Sequence, residues 1–225
     1  MTRTIKEQTV EQMGGPDSVL TRQRRDHAAI DRLMNRYRSL SAGRGREHIL
    51  REIIQRVFSH AFAEETVLWP VVRHSVPNGE ELTGQVEEEH QEINDLVADI
   101  ERRALTDPER LLQVEQAFEV IQEDIRDEED DLLPRLQECL DITQLRRLGS
   151  AWESVRRTAP TRPHPAVSRR PPGNALAGVP LSLYDRTVDT LAPVSSTISA
   201  RSAVGWAAGL LALVAARTVW RRTKR

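Results

Sequence analysis

The sequence predicts an all-α fold: an antiparallel four-helix bundle with a short extra helix and an amphipathic to hydrophobic helical tail at the C-terminal end. Three observations predict it. Apolar residues recur at helical spacing in four long stretches, and clusters of Gly, Pro and Asn separate those stretches. The second pair of stretches also repeats the side-chain pattern of the first, as two similar helical hairpins facing each other about a pseudo-two-fold axis would.

Residues 1–16 are polar and end in Gly14, Gly15 and Pro16, the composition of a flexible arm. Leu20, His27, Ile30, Met34 and Tyr37 then share one face of a first helix, which Gly43 and Gly45 interrupt. A second stripe runs through Leu50, Ile53, Val57, Ala61, Glu64 and Leu68. It is expected to end around Trp69 and Pro70, because proline lacks a backbone donor and its ring opposes a regular continuation. After the turn signal of Pro77, Asn78 and Gly79, a third helix carries Val86, His90, Ile93, Val97 and Ile100. Asp107 and Pro108 read as N-cap and first position of a fourth, whose stripe is Val114, Phe118, Ile121, Ile125, Glu128, Leu132 and Leu136. A shorter helix from residue 141 to about 157, with Leu145, Leu148, Trp152 and Val155 on one side, is expected to cap the bundle. Five prolines between Pro160 and Pro172 then give an extended linker that cannot bury a core. The predicted organisation is an arm (1–16), a bundle (17–157), a linker (158–175) and a basic C-terminal segment (176–225).

Composition narrows the function classes. A chain of 225 residues suffices for one proper core. With 32 basic against 34 acidic residues it lacks the charge of a nucleic-acid binder. Cys139 is the sole cysteine, so no intrachain disulfide forms, and it is expected to pack as a buried bystander. No apolar secretory run opens the sequence, which points to the cytoplasm. The charge-free stretch 202–216 would reach about 22 Å as a helix, short of a hydrocarbon layer of about 30 Å. Its basic flank opposes insertion that would carry the bundle outside. The segment is therefore expected to lie on the anionic inner face of the cell membrane, with packing on its own bundle or another subunit as the alternative. Gly205 and Gly209 offer weak support for self-association.

The repeat carries the chemistry. His27, Ile30 and Leu33 match His90, Ile93 and Leu96, each histidine preceded by an acid, Asp26 or Glu89. His60, Glu64, Glu65, Leu68 and Pro70 match Asp124, Glu128, Glu129, Leu132 and Pro134. His27, Glu64, His90 and Glu128 sit inside apolar stripes and should point into the core, while His60 and Asp124 project beside their glutamates one turn away. Uncompensated burial of such groups is costly, and a metal cluster supplies the compensation. Glu64 and Glu128, approaching from opposite helices, can bridge two metals that histidines cap from outside. Bridging carboxylates and imidazoles suit two non-haem irons, manganese less well, and zinc usually takes a closed tetrahedral site instead. The runs Glu87 to Glu89, and Asp127 with Glu129, Asp130 and Asp131, read as solvated acidic faces, and His48, His74 and His164 as surface residues.

These residues resemble the hemerythrin-like family, also called the HHE cation-binding domain. The resemblance rests on Asp26-His27, on 60–65 closing in Leu68-Trp69-Pro70, on Glu89-His90, and on Glu128-Glu129 closing in Leu132-Leu133-Pro134, and it spans roughly residues 18–140. It implies a carboxylate-bridged di-iron site that meets dioxygen, peroxide or nitric oxide in carriers, sensors and stress-response proteins. Asp124 stands where the family pattern has a fourth histidine. As a direct ligand it completes a set of three histidines and three carboxylates: His27, His60, Glu64, His90, Asp124 and Glu128. The extra anionic ligand favours ferric iron, and so redox turnover over reversible oxygen carriage. The alternatives are a non-catalytic iron store or sensor, and a metal-free helical scaffold.

Overall fold

The computed structural model describes residues 3–159; the expected linker from residue 160 on, the basic C-terminal segment and His164 lie outside the described residues. Helix α1 spans Val19–Ser39. Helix α2 comprises Arg44–Ala63, a π-helical turn Glu64–Leu68 and a final stretch Trp69–Ser75. Helix α3 is Gly79–Arg102. Helix α4 repeats the construction of α2, with Pro108–Asp127, a π-helical turn Glu128–Leu132 and Leu133–Cys139. Helix α5, Ile142–Arg156, is started by a capping box between Asp141 and Gln144. The Asp107 carboxylate accepts from the Glu109 N–H at 3.0 Å, so the predicted N-cap holds. Helix α1 pairs with α2, and α3 with α4, which gives the two hairpins of an all-α bundle. No described helix is long and apolar enough to cross a membrane.

Pro70 does not end α2, contrary to expectation, and Pro134 leaves α4 unbroken as its apolar stripe through Leu136 required. Each follows a π-helical turn, at Pro70 and Pro134, and the helix resumes beyond it to Ser75 and Cys139. A proline ring collides with the carbonyl four residues earlier only while α-helical geometry is kept. The wider turn, in which the Trp69 N–H bonds back to the Glu64 carbonyl, removes that conflict.

The bundle interior is apolar at both ends and polar in the middle. One apolar cluster gathers Ile30, Met34, Tyr37, Ile53, Phe118 and Ile121. The other gathers Leu20, Leu68, Trp69, Val86, Leu132 and Trp152. On every helix of the bundle the candidate ligands fall between the two: His27 before Ile30, His60 after Phe58, His90 before Ile93, Glu128 before Leu132. The tightly packed ends hold a charged belt between them.

Two expectations about the periphery are corrected. The N-terminal residues do not trail as a flexible arm. Ile5 and Met13 are fully buried, Thr4 Oγ1 donates to the Glu129 carbonyl at 3.0 Å, and the Gln8 and Gln137 side chains pair at 2.9 Å. Two apolar anchors and a few long-range hydrogen bonds suffice to fasten a segment whose composition is otherwise polar. Cys139 is exposed rather than buried, at the last residue of α4 where the helix ends. Helix α5 reaches further in than a cap. Gly149 lies so close to the N-terminal end of α1 that a Cβ there would stand 2.2 Å from the Asp17 carbonyl oxygen, and this approach buries Leu145, Leu148 and Trp152.

Candidate metal centre

The π-helical turns explain how two pairs of adjacent glutamates become buried. Successive residues of an α-helix point about 100° apart, so Glu64 and Glu65 should not both face inward. Both are nevertheless fully buried, as is Glu128, and Glu129 is only 5% exposed. In each pair the first glutamate enters the polar belt and the second supports a histidine across the bundle. Glu65 Oε1 lies 3.0 Å from His90 Nδ1, and Glu129 Oε1 lies 2.9 Å from His27 Nδ1. Glu129 is thus no solvated residue, and neither is Glu87, which accepts from Arg73 Nη2 at 2.6 Å. Glu88 and Asp130 do face solvent, as do His48 and His74.

All six predicted ligands come together. The donor atoms of His27, His60, Glu64 and Glu128 lie within 4.8 Å of one another, and so do those of His90, Asp124 and Glu128. Glu128 belongs to both groups. Glu64 also reaches both, with Oε1 2.9 Å from His60 Nε2 and Oε2 3.6 Å from His90 Nε2. The remaining contacts are His27 Nε2 to Glu128 Oε2 at 3.1 Å and His90 Nε2 to Asp124 Oδ1 at 3.5 Å. Both carboxylate oxygens of Glu64 and Glu128, and Oδ1 of Asp124, are buried without a hydrogen bond of normal geometry. Burial together with Glu64 and Asp124 pushes the Glu128 carboxyl up to about 8, and that many orphaned carboxyl oxygens in one place calls for a cation, a proton or a metal.

The histidines supply a second test of fit. His27 and His60 turn Nε2 toward each other at 3.0 Å while carboxylates face both Nδ1 atoms. A ring whose Nδ1–H donates to a carboxylate has its lone pair at Nε2. Two such lone pairs at 3.0 Å are unfavourable unless a cation sits between them. Protons are one source of that charge. Burial alone would lower the histidine pKa values, but Glu128 and Glu129 hold His27 well above the ordinary range, and Glu64 and Asp26 carry His60 up to about 9. A metal is the other source, displacing those protons as it binds. The donor set, nitrogen and oxygen without thiolate, fits a hard to borderline transition ion.

Around the six residues the two hairpins differ. Asp26 Oδ2 lies 3.0 Å from His60 Nδ1, and Asp26 is itself bonded by Arg56 Nη1 and approached by Arg156 Nη1 at 3.9 Å. Burial would raise the Asp26 carboxyl, but His60 and the two arginines outweigh it and hold it at about 2. Trp152 of α5 meets the His60 ring edge-on at 5.4 Å. In the second hairpin Glu89 takes the place of Asp26 and Asp124 that of His60. Instead of an imidazole Glu89 faces another carboxylate, and burial together with Asp124 pushes it up to about 7. His90 stacks on Trp69 with ring centroids 6.4 Å apart.

Sequence reasoning missed the supporting roles of Asp26, Glu65, Glu129 and the α5 residues Trp152 and Arg156. The repeat held a signal for the first three, since His27 and His90 each follow an acid and Glu64 and Glu128 are each followed by one. For Trp152 and Arg156 no comparable signal exists.

Comparisons with known proteins agree with this geometry. Residues 18–136, over half of the chain, match the hemerythrin HHE cation binding domain. The chain is also similar to an uncharacterized hemerythrin-like protein of Schizosaccharomyces pombe, with 21% identity over 141 residues, covering 62% of this chain and 70% of that protein. No solved structure matches. A helical bundle whose polar belt gathers histidines and carboxylates from both hairpins, across the matched segment, places this chain in the hemerythrin HHE cation-binding family, as a metal-binding helical domain.

Proposed function

We propose that the chain is a non-haem di-iron protein that reacts with or senses peroxide, dioxygen or nitric oxide, its irons held by His27, His60, Glu64, His90, Asp124 and Glu128. One observation carries the reading: Glu64 and Glu128, from opposite hairpins, each reach donor atoms of both groups, as carboxylates bridging two metals must. Iron suits such a mixed imidazole and carboxylate set best, and manganese is second. Two irons there would supply one-electron redox chemistry toward small oxidants. The chain's own residues set its direction. Three carboxylates place more negative charge at the centre than a fourth imidazole would, which favours the ferric state and turnover over reversible carriage. Glu65, Glu129 and Asp26 fix the ring orientations of His90, His27 and His60 and raise their basicity toward metal.

A sensing role has support of its own. Helix α5 touches His60 through Trp152 and approaches Asp26 through Arg156, so a shift of the His60 ring is transmitted to α5. The test is to reduce iron-loaded protein without oxygen and mix it separately with peroxide, dioxygen and nitric oxide while following absorption. Repeated consumption of one of them is expected for an enzyme, and a single stoichiometric change for a sensor. An unchanged spectrum with all three removes both and leaves iron storage.

A further inference from the structure

The N-terminal segment covers a second feature of the polar belt. A cavity of about 390 Å³ is lined by Lys6 and Val10, by Thr21, Arg24, Arg25, Ala28 and Asp31 of α1, and by Ile125 of α4. Its remaining wall is His27 and Glu129, a candidate ligand and the carboxylate that orients it. This volume is in the range of ligand sites and far exceeds the roughly 30 Å³ share of one water. Space alone selects nothing here, but charge does.

Three cations line the cavity against two acids, and Glu129 already faces His27. Arg24 Nη1 donates to the Ile5 and Gln8 carbonyls, which ties the covering segment down and holds the guanidinium at the cavity. Lys6 and Arg25 are exposed and form no ion pair among the described residues. Val10, Ala28 and Ile125 supply the apolar part of the wall, so the positive charge offered to an entering ion comes from Lys6, Arg24 and Arg25.

We propose that this cavity binds a small inorganic anion beside His27, held by Lys6, Arg24 and Arg25, and is the path by which such an anion reaches the metal-ligand cluster. The second half of the proposal rests on the metal-centre reading; the first does not.

Sodium azide is the probe, and the full-length protein is used in two forms. In metal-free protein followed by nuclear magnetic resonance, the Thr21 and Ala28 amides and the His27 ring are expected to shift together and saturate. Lys6→Glu with Arg25→Glu, at exposed positions that leave the fold intact, should weaken this binding by roughly tenfold or more at low salt. In iron-loaded protein the same variant should slow azide association by a similar factor at unchanged iron content, and added salt should slow the parent. Absence of a saturable shift at Thr21, Ala28 and His27 overturns the cavity as a site. Equal binding by parent and variant overturns the role of the cationic wall. Should the protein take up no iron, the metal-centre reading fails by itself, and the metal-free titration still decides the anion site.

Discussion

In the first hairpin His60 is held from two sides: by Asp26, itself backed by Arg56 and Arg156, and by Trp152, which meets the ring edge-on. In the second hairpin the residue at the equivalent place, Asp124, faces Glu89, a carboxyl held up to about 7 by burial and by Asp124 itself. The two halves share one ligand pattern and differ in its support. Part of the difference lies in α5, which packs mainly on α1 and α2 and brings Trp152 and Arg156 to the first hairpin. A duplicated scaffold can thus back one ligand position with a charged network and leave its twin facing a second carboxyl.

The strongest way to break the comparison is to remove what the halves share. Glu64→Ala with Glu128→Ala is expected to abolish metal binding while the bundle persists, because these carboxylates serve the metal and burden the fold without it. Elemental analysis and thermal melting check both parts; full metal retention would sink the assignment. Next comes the support of the first half. Asp26→Asn withdraws the charge that orients His60 and should weaken binding of one metal by roughly 10- to 100-fold, as loss of such supporting groups does elsewhere. Competition with a chelator measures it, and an unchanged affinity would mean that the Asp26 charge and the arginines behind it do not support the metal.

Asp124→His sharpens the contrast by making the halves alike. The new imidazole would find Glu89 in the position that Asp26 holds toward His60, and the loss of one negative charge should raise the reduction potential of the cluster. A spectroelectrochemical titration reads the shift; a potential equal to that of the parent would make Asp124 a bystander.

The smallest effect concerns Glu89 in metal-free protein. Its folded pKa of about 7 lies above the ordinary 4.5, so the folded state keeps a proton that the unfolded chain has released. Stability from this group therefore falls as pH rises from 4.5 to 7. Glu89→Gln removes that slope and should stabilise the protein at neutral pH by about 1 kcal/mol, after allowing for solvent screening at a half-buried group. Denaturant melts at pH 5 and pH 7 would show it, and equal slopes in parent and variant would contradict it.

Much of this was legible in the sequence. Helical periodicity and the two-fold repeat were sufficient for the four long helices and for bringing all six candidate ligands to one belt, because a polar residue in an apolar stripe has only the core to face. The end of α2 was not legible. Pro70 and Pro134 normally stop a helix, and only the π-helical turn, which no periodicity of 3.6 can show, lets the chain continue and turns Glu65 and Glu129 inward. The packed N-terminal segment escaped for another reason: its anchors, Ile5 and Met13, are too few to form a pattern. Trp152 and Arg156 read as ordinary residues of an amphipathic helix, and their contact with the site depends on how closely Gly149 lets α5 approach.

The central claim is that two metals share Glu64 and Glu128, one in each half. Elemental analysis of the full-length protein, purified without chelators and reloaded with ferrous iron, tests it most directly when paired with Mössbauer spectroscopy of the same sample. Two irons per chain, magnetically coupled, are the expected result. One iron per chain, or two without coupling, would contradict the shared carboxylates.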